Sequence, residues 1–579
     1  MTGPDARPAN AGHALALALV DELARGGVTH VFISPGSRSG PLAMAFAADA
    51  RIAHHVVLDE RSAAFAAVGL AKAAGRPVCV LTTSGTAAAN VHPAVLEAHH
   101  SRTPLIVLTA DRPPELRATG ATQTVDQIKL FGDAVRWFVE VGAPEARAGA
   151  VAYWRSLAAR ALSAASSPGG PVHINLALRE PLAPEPDDAG WDHDISGRES
   201  GAPWAETLAG APLPHDDEIA ALARELSGVE RGVLVAGAGL EASPLLDLAA
   251  ALAWPVLAEP ASGLRCGPGA VGAYDALLRH EATAERLRPV LAVRVGALGI
   301  SRALLRWLES GVEQVLVDPD GLWLDPGRTA RRLVRADPSL IAARLAAAVP
   351  RRARSAWLEE WLELEGRAQE AIDAVLEDEK RLTEPAAARA LADALPADAT
   401  LVVAASMPVR DLDWFMRPRP RLRVIANRGA NGIDGFVSTA LGAALASSGP
   451  VAALCGDLSL LHDGNGLLLA RAERVGAVFV VLNNNGGGVF SFLPQARWPE
   501  RFEELFGTPQ DVDVEALARL HGCGYARADR EAALRSAIAA AIEEGGTHLV
   551  EVRTERAANV AVHERLWRAV ADAARTMES

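Results

Sequence analysis

The chain of 579 residues carries 71 acidic against 57 basic side chains, a formal charge of −14, with half its residues hydrophobic and 22% charged. That length predicts three or four folded domains, and the acidic balance excludes a general nucleic-acid binder, which needs a basic face. Four scattered cysteines, Cys79, Cys266, Cys455 and Cys523, exclude a disulfide framework and fit a reducing cytoplasm.

In chain order, helical periodicity over 10–25 precedes an apolar strand over 28–34, Pro35-Gly36 punctuation and a helix from Pro41. A strand over 55–58 leads into a helix over 61–74, and strands over 77–82, 104–110 and 171–177 follow, with a helix over 87–98. Continuous apolar runs separated by helices predict a parallel sheet buried on both faces. The apolar run 14–20 is closed by Asp21 and Glu22 and lacks the basic start of a signal peptide. Residues 181–214, rich in Pro, Gly, Asp and Ser, read as a linker. A second α/β block has strands over 232–236, 255–258, 290–295 and 314–317, and its Gly237-Ala238-Gly239 reads as a turn, lacking the rest of a dinucleotide fingerprint. Residues 351–380 read as a densely charged, solvated helical connector, and Thr383-Glu384-Pro385 opens a helix with a cap and an early proline. The third block has strands over 401–405, 423–425, 451–455, 478–482 and 548–552. Its charge-free stretch 435–456 is broken by Ser447-Ser448-Gly449-Pro450 and reads as a helix, a turn and a strand, not a membrane span. The expected fold is α/β: three doubly wound domains with central parallel sheets, over 1–182, 215–350 and 381–579, joined by a linker at 183–214 and the connector at 351–380.

The densest chemistry lies in the third block. The strand over 451–455 runs into Gly456-Asp457-Leu458-Ser459, and the strand over 478–482 ends in Asn483-Asn484-Asn485-Gly486-Gly487-Gly488. Asp457 and Asn484 stand 27 residues apart, one strand–helix–strand unit, and a right-handed crossover puts both carboxyl ends at one sheet edge. Either half alone is ordinary turn chemistry. Together, one carboxylate, one amide and a backbone carbonyl suit Mg²⁺, which takes its remaining oxygens from water or phosphate. A helix starting near Ser459 would turn its positive end toward that phosphate.

This pattern resembles the diphosphate-binding motif of thiamine-diphosphate-dependent enzymes. Such chemistry needs a carboxylate at N1′ of the aminopyrimidine, standing at a strand end in an apolar pocket that raises its proton affinity. Glu60, closing His55-Val56-Val57-Leu58-Asp59-Glu60, has that setting, with Asp59 the better partner for the helix dipole. Thr82-Thr83-Ser84-Gly85-Thr86 follows the next strand as a loop at the same edge. His54-His55 and His99-His100 have no metal-ligand spacing.

A longer series is more specific. Ile33-Ser34-Pro35-Gly36-Ser37-Arg38-Ser39, Asp59-Glu60-Arg61, Thr83-Ser84-Gly85-Thr86, Asp111-Arg112-Pro113, Ala121-Thr122-Gln123-Thr124 and Asn427-Arg428-Gly429-Ala430-Asn431-Gly432-Ile433-Asp434-Gly435 occur in order with the two motifs above. The chain resembles the 2-succinyl-5-enolpyruvyl-6-hydroxy-3-cyclohexene-1-carboxylate synthases of menaquinone biosynthesis, over both outer domains and weakly in the middle one. The resemblance implies a transferase with thiamine diphosphate and Mg²⁺ or Mn²⁺. In that family 2-oxoglutarate loses CO₂ and the succinic-semialdehyde carbanion equivalent adds to isochorismate. It further implies Glu60 as the cofactor-activating acid, and Asp457, Asn484 and the Gly486 carbonyl as metal ligands. Ser84, Gly85, Ile433, Gly456, Leu458, Ser459, Val489 and Phe490 would contact the cofactor. Ser37, Arg38, Arg112, Gln123, Arg302, Ser406, Arg410 and Arg428 would face substrate. A homodimer or tetramer with active sites at the subunit interface follows from the family as well.

The chemistry asks for such arginines independently. Both substrates are dicarboxylates, and a guanidinium binds a carboxylate bidentately. Arg38 and Arg112 follow predicted buried strands among turn residues, where a plain surface ion pair is not the expected use; Arg410 and Arg428 rest on the resemblance. Two alternatives remain open on sequence. One is another thiamine-dependent 2-oxoacid decarboxylase or carboligase, which would not depend on isochorismate. The other is a non-catalytic diphosphate or nucleotide binder, which would have no use for Glu60.

Overall fold

A computed structural model describes residues 8–188, 190–240 and 242–575. Its framework is three six-stranded sheets in which every paired neighbour is parallel. The first contains β1 (His30–Ile33), β2 (Ala53–Val56), β3 (Val78–Thr82), β4 (Leu105–Asp111), β5 (Trp137–Glu140) and β6 (Pro171–Ala177), ordered β2-β1-β3-β4-β6-β5. The second contains β7 (Gly232–Ala236), β8 (Val256–Ala258), β9 (Ala270–Val271), β10 (Leu291–Val295), β11 (Glu313–Val317) and β12 (Ala330–Val334), ordered β12-β11-β10-β7-β8-β9. The third contains β13 (Thr400–Val403), β14 (Arg423–Ala426), β15 (Val451–Gly456), β16 (Ala477–Asn483), β17 (Gly524–Arg527) and β18 (Thr547–Arg553), ordered β14-β13-β15-β16-β18-β17. The doubly wound α/β class expected from the apolar runs is the class observed.

Strands that the sequence reveals are mainly the inner ones. β3, β4, β6, β7 and β10 are buried at every residue, so they must be apolar throughout. The four strands without a signal, β5, β9, β12 and β17, all lie at sheet edges. β5 is half-buried throughout, and β12 and β17 each expose at least one residue, so none needs a continuous apolar run.

Other elements differ in instructive ways. The helix expected over 87–98 is two, Thr86–Asn90 and His92–His100, because Pro93 supplies no N–H to continue the first. The connector is a helix, Ala356–Glu377, but it is solvated on one face only. Trp357, Trp361, Leu364, Ala368 and Ile372 form a helical stripe inside a hydrophobic cluster. The stretch 435–456 resolves into a helix, Phe436–Ala446, and β15. Among the described residues no helix is long and apolar enough to cross a membrane.

The chain divides into two compact units. One comprises Met1–Ala209, Asn427–Ser447 and His462–Gly476; the other comprises Gly210–Ala426, Ser448–Leu461 and Ala477–Ser579. Two helices encoded in the third block, Phe436–Ala446 and Leu467–Glu473, therefore belong with the first sheet. Phe436–Ala446 packs along Glu60–Ala74 so closely that Gly69 lies against the Thr439 backbone and Gly442 against the Ala66 backbone.

Candidate active site

In the first unit, Ser37 and Arg38 follow β1, Ser84 and Gly85 follow β3, and Arg112 follows β4. These are neighbouring parallel strands, so the residues gather at one carboxyl edge, where open α/β sheets bind ligands. The backbone knits them together. Ser84 Oγ donates to the Gln123 carbonyl at 3.0 Å and Gln123 Nε2 donates to the Ser84 carbonyl at 3.1 Å, with Gln123 in the left-handed region at φ 55°. Arg112 donates to Ser84 Oγ. Arg38 is buried, donates from Nη1 to the Leu178 carbonyl at 2.9 Å and pairs with Glu180 at 3.6 Å. Burial, then the positive charge of Arg112, hold its guanidinium below the ordinary value. Glu180 and Asp111 partly offset that effect. Ser37 is exposed next to Arg38.

Glu60 is the first residue of the helix Glu60–Ala74. Asp59 caps that helix, its side chain accepting from the Arg61 and Ser62 amides, as expected of the acid serving the helix dipole. β2 ends at Val56, two residues before the expected strand end, and Glu60 opens the helix, as expected. Its carboxylate is half-buried instead of enclosed, accepting from Asn90 Nδ2 at 3.3 Å, because β2 is an edge strand that leaves Val56 and Leu58 exposed.

Arg428 and Ile433 lie half-buried in the loop between β14 and the helix Phe436–Ala446. That loop is held by Glu97, which is buried and accepts from the Gly429 amide at 3.1 Å and the Ala430 amide at 2.8 Å while pairing with Lys72 at 2.6 Å. Glu97 had no signal in the sequence. Neither did Gln127, fully buried, which accepts from the Gly85 amide at 2.9 Å and donates to Asn175 at 2.9 Å. Asn175 is a polar residue inside the apolar β6 run, and that interruption was the available clue.

In the second unit the motif halves meet as expected. β15 and β16 are adjacent and parallel with Gly456 opposite Leu482, so Asp457 and Asn484 leave the same edge. Asp457 opens the short helix Asp457–His462, two residues before Ser459. Its Oδ2 accepts from the Gly486 amide at 2.8 Å, and burial pushes its carboxyl up to about 6. Asn484 Nδ2 donates to Glu384 at 2.8 Å. The remaining oxygens, Asp457 Oδ1 and Asn484 Oδ1, are buried with no hydrogen-bond partner. Unsatisfied buried acceptors are costly, and two of them leaving the same sheet edge fit a cation. Gly486 lies at φ 140°, where an added Cβ would stand 2.1 Å from the Gly507 carbonyl oxygen; its own carbonyl accepts from the Gly488 amide at 3.0 Å and keeps a second lone pair. Among the described residues no cluster of three His, Cys, Asp or Glu side chains can hold a metal, so a cation here must use amide and carbonyl oxygens.

Gly456 and Leu458 are half-buried and Ser459 buried around Asp457. Val489 packs on the hydrophobic cluster that contains Met407 and Trp414, and Phe490 lies 5.6 Å from the Phe506 ring. Ser406 follows β13 at φ 72° and precedes the helix Met407–Phe415, in which Arg410 donates to the Ser406 carbonyl. A serine in that conformation is strained, a feature concentrated at functional sites. Arg302 stands apart, exposed at the start of Arg302–Glu309, although the preceding loop is anchored by Glu259, which accepts from the Gly299 and Ile300 amides.

Three family models match this chain: the thiamine pyrophosphate enzyme N-terminal TPP binding domain over residues 13–130, the middle domain of thiamine pyrophosphate over 201–403, and the thiamine pyrophosphate enzyme C-terminal TPP binding domain over 410–552. With the three sheets, they define the class as thiamine pyrophosphate enzymes. The curated 2-succinyl-5-enolpyruvyl-6-hydroxy-3-cyclohexene-1-carboxylate synthase of Thermobifida fusca is 50% identical over 582 residues, covering 98% of this chain and 100% of its own. The synthase of Geobacillus kaustophilus is 46% identical, covering 96% and 97%, and that of Chloroflexus aurantiacus 43%, covering 96% of each. The chain belongs to this synthase family.

Proposed function

We propose that the chain is a cytoplasmic enzyme that decarboxylates 2-oxoglutarate and joins the four-carbon fragment to isochorismate by 1,4-addition, in menaquinone biosynthesis. The observation that carries the reading is the pair of buried, partnerless oxygens on Asp457 and Asn484. These two residues and the Gly486 carbonyl would hold Mg²⁺ or Mn²⁺, with Gly456, Leu458 and Ser459 shaping the edge where the diphosphate would lie. Thiamine diphosphate, when bound, supplies a carbon acid able to stabilise the negative charge left by loss of CO₂. Glu60 holds and moves a proton at N1′ of the aminopyrimidine. Ser84, Gly85, Ile433, Val489 and Phe490 pack around the cofactor.

Arg38, Arg112, Arg410 and Arg428 bind the substrate carboxylates, assisted by Ser37, Gln123, Ser406 and Arg302. Two arginines at one sheet edge, Arg38 among them buried, support a dicarboxylate over a neutral aldehyde. The half-exposed Glu60 beside Val56 and Leu58 supports a homodimer, alone or paired into a tetramer, in which a second copy covers this edge. Domains over 1–182, 215–350 and 381–579 complete the proposal. The deciding experiment is CO₂ release from 2-oxoglutarate with and without isochorismate. Release that requires isochorismate supports the synthase; release indifferent to it leaves a simple decarboxylase.

A further inference from the structure

Thr383-Glu384-Pro385 reads in sequence as helix-start punctuation, and Thr383 does cap Glu384–Ala394 by accepting from the Ala386 amide. An acid in a first turn ordinarily sits in solvent and serves the helix dipole. Glu384 is instead 1% exposed. Its Oε1 accepts two hydrogen bonds, from Asn484 Nδ2 at 2.8 Å and from Thr554 Oγ1 at 2.8 Å.

The consequence lies in the amide. A primary amide offers a donor on one side and an acceptor on the other, and the two are almost the same size. With its nitrogen committed to Glu384, Asn484 presents its oxygen elsewhere, and that oxygen is the buried, partnerless one. Turned over, the amide would set oxygen against the Glu384 oxygen and aim N–H groups where a cation must sit. The amide is also closely approached: an added Cβ on Gly488 would stand 2.6 Å from Asn484 Nδ2, leaving the hydrogen bond to Glu384 as the contact that tells nitrogen from oxygen. Asp457 follows the same rule, with one oxygen tied to the Gly486 amide and the other without a partner.

We propose that Glu384 is a positioning residue for the metal site: it orients the Asn484 amide so that oxygen, not nitrogen, meets the divalent cation, with Thr554 holding the carboxylate in register. The inference rests on the reading of Asp457 and Asn484 as metal ligands. Residues behind a metal ligand commonly change metal affinity by roughly 10–100-fold when replaced.

The test is calorimetric titration of the full-length protein with Mg²⁺ or Mn²⁺ at saturating thiamine diphosphate. Glu384→Gln keeps an acceptor at the same place, and its affinity is expected within about threefold of the parent. Glu384→Met fills the volume without an acceptor and is expected to lose roughly 10–100-fold. Should Glu384→Met not yield folded protein by circular dichroism, Glu384→Ala takes its place. Equal affinity of the Met variant and the parent, or equal loss in the Gln and Met variants, overturns the role of Glu384. Asp457→Ala separates the two layers of the argument: if it binds the cation like the parent, the metal-site reading itself falls.

Discussion

Gly69→Ala places two opposing effects of known size against each other. In an isolated helix, alanine is favoured over glycine by about 1 kcal/mol. Gly69, however, lies in Glu60–Ala74 where Phe436–Ala446 crosses it, and an added Cβ would stand 2.0 Å from the Thr439 carbonyl oxygen. Gly442 meets the Ala66 carbonyl oxygen at 1.9 Å in the same way. Both obstacles are backbone, so neither can rotate aside, and the helices must part by about 1 Å to bring the contact to a tolerable separation. Overpacking of this kind costs about 1–3 kcal/mol and forfeits dispersion along the whole crossing. The clash wins, and Gly69→Ala is expected to lose up to about 2 kcal/mol net. Glu60 begins the displaced helix, and a shift of about 1 Å at a reacting group costs up to about 100-fold in rate. The assay is the thermal unfolding midpoint together with isochorismate-dependent turnover. Gly366→Ala is the reference: it lies exposed in Ala356–Glu377 with no atom within 4 Å of an added Cβ, and it is expected to gain about 1 kcal/mol. A Gly69→Ala protein that melts at or above the parent with full turnover refutes the reasoning.

Three further outcomes are expected. Glu60→Gln retains most thiamine diphosphate binding, seen by calorimetry, and loses nearly all turnover; surviving turnover removes its role as the proton carrier. Arg112→Lys keeps the charge but loses the planar fork, and is expected to raise KM for a substrate by roughly tenfold, measured by varying each substrate in turn. Burial pushes the Asp463 carboxyl up to about 6 from 3.8, so between those values the folded chain keeps a proton that the unfolded chain has released. Parent stability therefore falls relative to Asp463→Asn as pH rises from about 4 to 6. The gap reaches about 3 kcal/mol above that window, since Asn can still accept from the Ser438 amide. Melting midpoints of the pair from pH 4 to 8 check this, and a gap that does not change with pH contradicts it.

Legibility in the sequence followed burial. An inner parallel strand must be apolar on both faces, so β3, β4, β6, β7 and β10 announce themselves, whereas β5, β12 and β17 at the sheet edges face partly outward and read as loop. The residues at the carboxyl ends of inner strands were legible for the same reason. Arg38, Ser84, Arg112, Asp457 and Asn484 each follow a recognisable run, and right-handed crossovers leave little choice about which edge they share. Residues that support them were not. Glu97, Gln127 and Glu384 sit in helices or loops of ordinary composition, and only folding brings them to Ala430, Gly85 and Asn484.

The sequence by itself therefore determined the sheet class and the shared edge from which Asp457 and Asn484 leave neighbouring strands, because periodicity and spacing are local properties of a chain. Tertiary structure alone decided that Phe436–Ala446 packs against the helix of Glu60, that Glu60 stands half-buried at an edge strand, and which atom of Asn484 is left without a partner. Those depend on contacts between residues up to hundreds of positions apart, where close approach at a glycine or one hydrogen bond from a buried acid selects among arrangements that no local pattern distinguishes.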